Sequence, residues 1–286
     1  MGKIVIVGSG PAGCSAALYA ARAGQEVVVI SMGMGALSKA ELIQNYYGFE
    51  EGITGAELYR QGVAGAKAVG AEFITAEVVG LDYTGSLVVQ TTEGDYPADA
   101  VILATGTGRI APKIAGLAEH EGRGVSYCAT CDAFFYRGKT AAVLGSGEYA
   151  LHEVQALLPL AGKVILCTNG EPLTADFPEG VEICTEKLAA VEGKEKVSAL
   201  RLENGELLPV EGLFVALGVA GSAALARKLG APVENGRIVV DERMQTGIPG
   251  LYAAGDCTGG LLQVCKAVYE GALAATEAIK QIRGKK

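Results

Sequence analysis

Cys128 and Cys131 stand two residues apart and are followed directly by Asp132. At a turn or at the start of a helix, two such cysteines can close a small disulfide ring or present one reactive thiol. The carboxylate of Asp132 could carry a proton to or from a departing thiol. A zinc site would need two more Cys or His ligands, but the chain has only His120 and His152 and no second CxxC. The pattern therefore predicts a redox-active dithiol, without metal, whose catalytic residues are Cys128, Cys131 and Asp132.

The other five cysteines stand in apolar runs typical of helices and strands, and we expect them to pack rather than react: Cys14, Cys167, Cys184, Cys257 and Cys265. A total of 7 cysteines is odd and does not indicate a disulfide framework. The chain opens with a short strand-like run instead of a signal-peptide core, so a cytoplasmic location is expected.

A glycine-rich turn at residues 8–13 follows a strand-like run and opens a helix-like one, which is the context that a dinucleotide-binding turn requires. Its glycines permit a tight turn, close approach of a pyrophosphate, and close packing of helix on strand. Ser31 stands where an acidic ribose ligand usually ends the second strand, so FAD is favoured over directly bound NAD. The predicted cofactor contacts in this turn are Gly8, Ser9, Gly10, Pro11, Ala12 and Gly13.

Regular elements must position both motifs. Residues 3–30 have the pattern of a strand, a turn, a helix and a strand, and the pattern restarts at residues 140–167 with a second turn, Gly145-Ser146-Gly147. Thr54 and Glu57 form a capping box for a helix reaching about residue 69, and residues 72–79 are predicted to form one strand. The predicted fold class is α/β, with two Rossmann-like domains of the dinucleotide-binding type, each with three ββα layers.

Composition and charge exclude some classes of function. The chain has 286 residues, 24 Lys and Arg against 32 Asp and Glu, and a net charge of −8. It lacks tryptophan and a basic excess, so neither an electrostatic footprint nor an aromatic platform for nucleic acid is expected. No run of about 18 apolar residues is free of charge, so no membrane span is expected. The 41 glycines indicate many sharp turns and close approaches to a ligand.

Four segments in order, residues 8–13, 104–106, 122–132 (ending in CATCD) and 253–256 (AAGD), resemble the low-molecular-weight thioredoxin reductases over nearly the whole chain. The resemblance implies an FAD-binding domain split in sequence, at 1–114 and 241–286. The inserted domain, 115–240, would carry the CxxC on a degenerate NAD(P)H-binding-like fold. It further implies a homodimer, thioredoxin as the partner, and a domain rotation that lets flavin and substrate reach one dithiol in turn.

The resemblance also implies further cofactor contacts. Asp256 would contact the FAD ribitol, and Cys131 would be the cysteine nearer the flavin. Residues expected near the isoalloxazine are Asn45, Gln263 and Val264, and the remaining predicted cofactor-binding residues are Val78, Thr105 and Gly106.

The second glycine turn departs from the family pattern. Gly145, Gly147 and Ala150 fit GxGxxA, but the basic run that pairs with the NADPH 2′-phosphate is replaced by CTNGEPLT at 167–174, which has no Lys or Arg. Tyr149 stands where the family carries a small residue. This pattern resembles the ferredoxin-dependent flavin thioredoxin reductases, so reduced ferredoxin is the expected electron donor.

Three alternatives stay open: a reductase driven by NADPH or by NADH with Glu171 on the ribose, a flavin oxidase of small dithiols, and a flavin-binding sensor without turnover. The acidic balance also opposes steering of an acidic ferredoxin, so a local basic patch would be needed. Its candidates near the dithiol are Arg109, Lys113, Arg123, Arg137 and Lys139.

Overall fold

The structure is a computed structural model that describes residues 2–106, 113–218 and 221–284. Arg109 lies outside the described residues. The chain forms two compact units: the first comprises Met1–Gly108 and Gly221–Lys286, and the second, Arg109–Ala220, is inserted between these two segments.

Strands and helices are numbered in chain order. The strands are β1 (Lys3–Val7), β2 (Glu26–Ser31), β3 (Glu72–Thr75), β4 (Val78–Tyr83), β5 (Leu87–Thr91), β6 (Gly94–Ala98), β7 (Ala100–Leu103), β8 (Val125–Ser126), β9 (Thr140–Leu144), β10 (Lys163–Cys167), β11 (Glu182–Cys184), β12 (Leu188–Glu192), β13 (Ala199–Leu202), β14 (Leu207–Pro209), β15 (Gly212–Val215), β16 (Val233–Glu234), β17 (Arg237–Ile238) and β18 (Leu251–Ala253). The α-helices are α1 (Pro11–Arg22), α2 (Gly55–Ala68), α3 (Ala129–Asp132), α4 (Glu148–Leu157), α5 (Ser222–Lys228) and α6 (Val264–Gly284).

In the first unit, five parallel strands form a sheet in the order β18-β7-β1-β2-β3. The central strands are almost continuously buried, as expected for parallel strands covered on both faces. Helices α1 and α6 pack together, and their alanine-rich faces share one apolar core with β1, β2 and β7. A separate antiparallel sheet contains β4, β5 and β6.

The second unit repeats this plan. Its parallel sheet has the order β11-β10-β9-β15-β8, and an antiparallel sheet contains β12, β13 and β14. One apolar core joins strands of both sheets, with Leu144, Leu200 and Leu213 fully buried. These sheets confirm the predicted α/β class with two Rossmann-like units. Among the described residues, no helix is long and apolar enough to cross a membrane.

Two predicted boundaries differ from those in the structure. The single strand predicted at 72–79 is wrong, because the chain leaves β3 after Thr75 and enters a different sheet at β4. Residues 221–240, predicted as part of the insert, group with the first unit, since α5 packs against β4 and β17 lies beside residues 256–258. The predicted cap is confirmed: the Glu57 amide donates to Thr54 Oγ1 at 3.2 Å, where α2 begins.

Candidate active site

The first glycine turn is built by close backbone packing. A Cβ on Gly13 would lie 1.9 Å from the Gly8 carbonyl oxygen, and one on Gly8 would lie 2.4 Å from the Ala104 oxygen. Gly8 also has φ +109°, a left-handed conformation that favours glycine. Around the Cβ position of Gly10, by contrast, there is open space. Gly8 and Gly13 therefore shape the turn, and Gly10 leaves room for a ligand at the start of α1.

A cavity of about 430 Å³ opens above this turn in the first unit. The structure brings eleven predicted cofactor contacts to its wall: Gly8, Ser9, Gly10, Pro11, Ala12, Asn45, Thr105, Gly106, Asp256, Gln263 and Val264. Two others do not line it. Gly13 packs beneath the turn against Gly8, and Val78 is buried in β4, where it pairs with Thr91.

Hydrogen bonds join residues of the cavity wall to residues distant in sequence. The Asn45 amide nitrogen donates to Gln263 Oε1 at 2.8 Å, although the two residues are 218 positions apart. Thr105 Oγ1 lies 2.6 Å from Ser222 Oγ, and the Ser222 amide donates back to Thr105 Oγ1 at 2.9 Å. Sequence reasoning missed Ser222, since nothing in its local pattern marks it.

Asp256 is positioned by a partly buried ion pair that the sequence motifs did not reveal. Glu270 Oε2 accepts the Gly255 amide at 2.8 Å and lies 3.0 Å from Lys266 Nζ. Lys266 donates to the Gly255 carbonyl at 2.8 Å and to Thr258. The i, i+4 spacing of Lys266 and Glu270 on α6 was the available signal. The pair fixes the turn that holds Asp256 at the cavity wall.

Ser31 ends β2 with a hydroxyl where a dinucleotide site of the NAD type has a carboxylate. Ser31 Oγ donates to Ser9 Oγ at 2.7 Å, and Ser9 Oγ lies 3.1 Å from Tyr59 Oη. Asp256 is the only carboxylate among the described residues of the cavity wall. The open space at Gly10 and the nearly uncharged wall fit a dinucleotide whose pyrophosphate lies at the start of α1.

In the second unit, Cys128 and Cys131 form a disulfide on α3. Cys128 is the N-terminal cap, and its sulfur accepts the Cys131 amide at 3.1 Å. Cys128 is buried, whereas Cys131 is exposed. Ser126, which sequence reasoning missed, donates from Oγ to Asp132 Oδ2 at 2.7 Å and accepts the Cys128 amide at 3.1 Å. One serine therefore connects the predicted proton carrier with the disulfide.

The second glycine turn is covered by the chain's own continuation. The Thr174 amide donates to the Ser146 carbonyl at 2.8 Å, and Thr174 Oγ1 would lie 3.0 Å from a Cβ on Gly147. The open cavity beside it is walled by Leu173–Phe177 together with Glu148 and Ile183, and these described residues include no Lys or Arg. Further along, Lys187 packs its aliphatic stem against Gly170.

Four of the other five cysteines are at least partly buried. Burial raises the pKa of the Cys14 thiol to about 12 and that of Cys257 to about 11. Burial also raises the pKa of Cys167, with smaller contributions from Cys184, its register partner on β11. Cys265 is exposed, so the expectation that it packs is wrong, because it lies on the outer side of the first turn of α6.

An aromatic surface follows the dithiol. Phe134 and Phe135 are 65% and 67% exposed, with ring centroids 6.3 Å apart. The Arg137 guanidinium lies 5.3 Å from the Phe134 ring centroid, and Lys139 Nζ lies 6.0 Å from that of Tyr136. Large exposed side chains of this kind mark surfaces that contact other molecules.

The model of the pyridine nucleotide-disulphide oxidoreductase family matches residues 2–271, and the chain belongs to that family. Members of this family are FAD-binding flavoproteins, which confirms FAD as the cofactor.

The relatives of this chain indicate a narrower class of protein than the family does. The chain is similar to thioredoxin reductase from Aquifex aeolicus, with 35% identity over 99% of this chain and 94% of that one. Among solved structures, it is similar to the atypical thioredoxin reductase TRi from Desulfovibrio vulgaris Hildenborough, with 40% identity, TM-score 0.93 and 99% of both chains covered. A ferredoxin-flavin thioredoxin reductase from Clostridium acetobutylicum has 35% identity and TM-score 0.74, covering 99% of this chain and 98% of that one.

Proposed function

We propose that the protein is a flavin-linked reductase of thioredoxin that takes its electrons from reduced ferredoxin. FAD would be held at the start of α1 by residues 8–13, with Asp256 on the ribitol and Asn45, Gln263 and Val264 at the isoalloxazine. When bound, FAD supplies a centre that accepts electrons singly and passes a pair to a disulfide. Val78 stays a predicted cofactor contact.

The dithiol completes the reaction by thiol–disulfide exchange. One thiolate of Cys128 or Cys131 attacks the substrate disulfide and forms a mixed disulfide, and the second thiolate displaces the substrate cysteine. The protein is thereby oxidised to its disulfide while the substrate gains two electrons and two protons. Asp132, oriented by Ser126, is placed to exchange a proton with the departing thiol. Phe134 and Phe135 offer an exposed apolar surface beside the dithiol for the partner.

The observation that carries the choice of donor is the second glycine turn. Residues 173–177 wall the place where a nucleotide phosphate would approach α4, and they bring Asp176 beside Glu148 instead of an arginine. Leaving a phosphate without its ionic partner costs about 2–5 kcal/mol, which corresponds to roughly 30-fold to several-thousand-fold in affinity. The ferredoxin-flavin relative from Clostridium acetobutylicum supports the same choice.

Ferredoxins are acidic, and the net charge of −8 gives no overall attraction. Of the four described candidates for a local basic patch, Lys113, Arg137 and Lys139 are exposed. Arg123 is also exposed, and its guanidinium donates to the Glu119 carbonyl. Arg137 and Lys139 follow Phe134 and Phe135, so they would attract an acidic partner to the same surface.

The alternative donor is NADPH or NADH. It is favoured by the surviving glycines of the second turn and by the relatives named simply thioredoxin reductases. An anaerobic titration of the FAD-loaded protein separates the two. We expect stoichiometric NADPH or NADH to leave the visible absorption band of the oxidised flavin unchanged over minutes. Reduced ferredoxin should bleach it, and bleaching by either nicotinamide would overturn the ferredoxin proposal.

We also propose that the protein is a cytoplasmic homodimer, as the family resemblance implies. Sedimentation equilibrium of the FAD-loaded protein tests the dimer. A molecular mass of 29.3 kDa at micromolar concentration would contradict it.

A further inference from the structure

Helix α4 is bonded to the backbone on both sides of Cys128. Tyr149 Oη donates to the Tyr127 carbonyl at 2.9 Å, and the Ala129 amide donates to Glu153 Oε2. Tyr149 and Glu153 are four positions apart, so they lie on one face of α4. Both side chains are buried, with 2% and 1% exposure.

We propose that Tyr149 and Glu153 form a clamp that positions Cys128 for thiol–disulfide exchange and sets the reducing power of the dithiol. Both are positioning residues, because they reach the cysteine through its neighbours' backbone. The inference rests on the proposed function in one respect: it requires that the Cys128–Cys131 pair cycles between disulfide and dithiol.

The short elements around the dithiol explain why a clamp is needed. β8 has 2 residues and α3 has 4. A single helical turn is unstable by itself, because its first hydrogen bond must fix several residues at once. Reduction also removes the covalent bond between the two sulfurs. The two contacts from α4 then remain to hold residues 127 and 129, and thereby the backbone of Cys128.

Tyr149 links this role to the altered second glycine turn. By family resemblance a small residue is expected at this position, beside the dinucleotide pyrophosphate. Here the ring is buried at the start of α4, and its hydroxyl points to the strand end that precedes the dithiol. The helix that begins at a nucleotide-type turn therefore supports the redox loop instead.

Glu153 adds an electrostatic effect. Its carboxyl oxygen accepts the amide that follows Cys128, so an ionised carboxylate here would place a second negative charge beside the residue that follows the thiolate. Other titratable groups in this network include Asp132, through Ser126, and His152, whose Nδ1 lies 3.4 Å from Glu153 Oε1. A nearby carboxylate destabilises the thiolate and makes the dithiol more strongly reducing.

Two conservative variants of the FAD-loaded protein test the clamp. Tyr149→Phe removes only the hydroxyl, and Glu153→Gln keeps an acceptor oxygen but removes the charge. The matched controls are Tyr252→Phe, which removes a buried tyrosine hydroxyl bonded to Gln281 at 2.6 Å, and Glu277→Gln on α6. Both controls lie in the first unit, whereas the dithiol lies in the second.

The protein is first reduced with dithionite and then mixed with oxidised thioredoxin in a single turnover. We expect Y149F to slow the transfer about three- to tenfold, as for the loss of one buried hydrogen bond, without a matching change in thioredoxin affinity. Y252F should transfer at the wild-type rate. Thermal unfolding of both variants checks that the difference does not follow global stability.

For E153Q, two quantities are measured. The rate at which the reduced Cys128–Cys131 dithiol is alkylated is followed by mass spectrometry as a function of pH. The redox equilibrium of the protein's dithiol with thioredoxin is measured separately. We expect the pH midpoint of alkylation to fall by about one unit. Measured at a pH above the thiol pKa, the equilibrium should become about tenfold less reducing, or ~30 mV for a two-electron couple. Wild-type values for Y149F and E153Q would overturn the clamp. If the dithiol of the wild-type protein reduces no thioredoxin, the proposed function is overturned instead.

Discussion

The glycine turn at the start of α1 allows one matched pair of substitutions to separate folding from cofactor binding. In Gly13→Ala the new Cβ would lie 1.9 Å from the Gly8 carbonyl oxygen, and the neighbour is backbone that cannot rotate away. In Gly10→Ala the Cβ enters open space at the cavity wall, and Gly10 already has φ −69°. We therefore expect G13A to destabilise the protein and G10A to weaken FAD binding.

The magnitudes follow from these distances. Overpacking typically costs about 1–3 kcal/mol, and a backbone overlap of this size belongs at the upper end. Since α1 gains about 1 kcal/mol from replacing a helical glycine, the net loss for G13A is about 2 kcal/mol, or roughly 4–8 °C in Tm. For G10A, tenfold weaker FAD binding would reduce the stabilisation by excess FAD by about 1.4 kcal/mol, or ~3–6 °C.

Thermal unfolding with and without FAD measures both effects. Gly65→Ala is the control, because Gly65 lies inside α2 with open space around its Cβ position. G65A should stabilise the protein slightly and leave FAD binding unchanged. The reasoning is refuted if apo G10A unfolds as early as G13A, or if G10A gains as much from FAD as the wild type does.

Three further outcomes are expected. In the oxidised native protein, one thiol should react rapidly with a disulfide reagent, because Cys265 is exposed. Cys265→Ser should abolish this rapid reaction, and a rapidly reacting thiol that persists in the variant would contradict the prediction. Burial raises the pKa of Cys14 from 9.0 to about 12, so the folded state keeps a proton that the unfolded chain loses. Stability should therefore fall as pH rises from 9 toward 12, less steeply in Cys14→Ala, as urea unfolding would show. Replacing Arg137 and Lys139 by glutamate should slow flavin reduction by reduced ferredoxin several-fold at low salt. The effect should be small at 0.5 M salt, where the Debye length is below ~5 Å. If the effect does not depend on salt, this surface is excluded as the ferredoxin-binding site.

Local sequence patterns predicted the parts of the site that depend on adjacent residues. The strand–turn–helix at residues 3–22 and the cap at Thr54 follow from spacing alone, since their contacts join residues a few positions apart. Asn45 and Gln263 could be paired only through the family resemblance. The observed hydrogen bond joins chain segments that no local pattern connects.

Other features depend on three-dimensional packing and could not be predicted. Glu153 has the local pattern of an ordinary helical residue, and only the fold brings its carboxylate to the Ala129 amide. Ser126 reaches Asp132 because β8 leads directly into α3. The break between β3 and β4 was missed because both segments are apolar, and strand propensity does not indicate which sheet a segment joins.

The discontinuous first unit imposes an order on synthesis. Strand β18 pairs with β7, and α6 covers α1, yet both elements follow the whole inserted unit in the chain. On the ribosome, the contiguous second unit can therefore fold while the first still exposes the apolar face of α1. Asp256 and Gln263 also follow the inserted unit, so FAD can meet a complete site only after that unit has been synthesised. We therefore expect limited proteolysis of chains synthesised without flavin to cut the first unit more readily than the second.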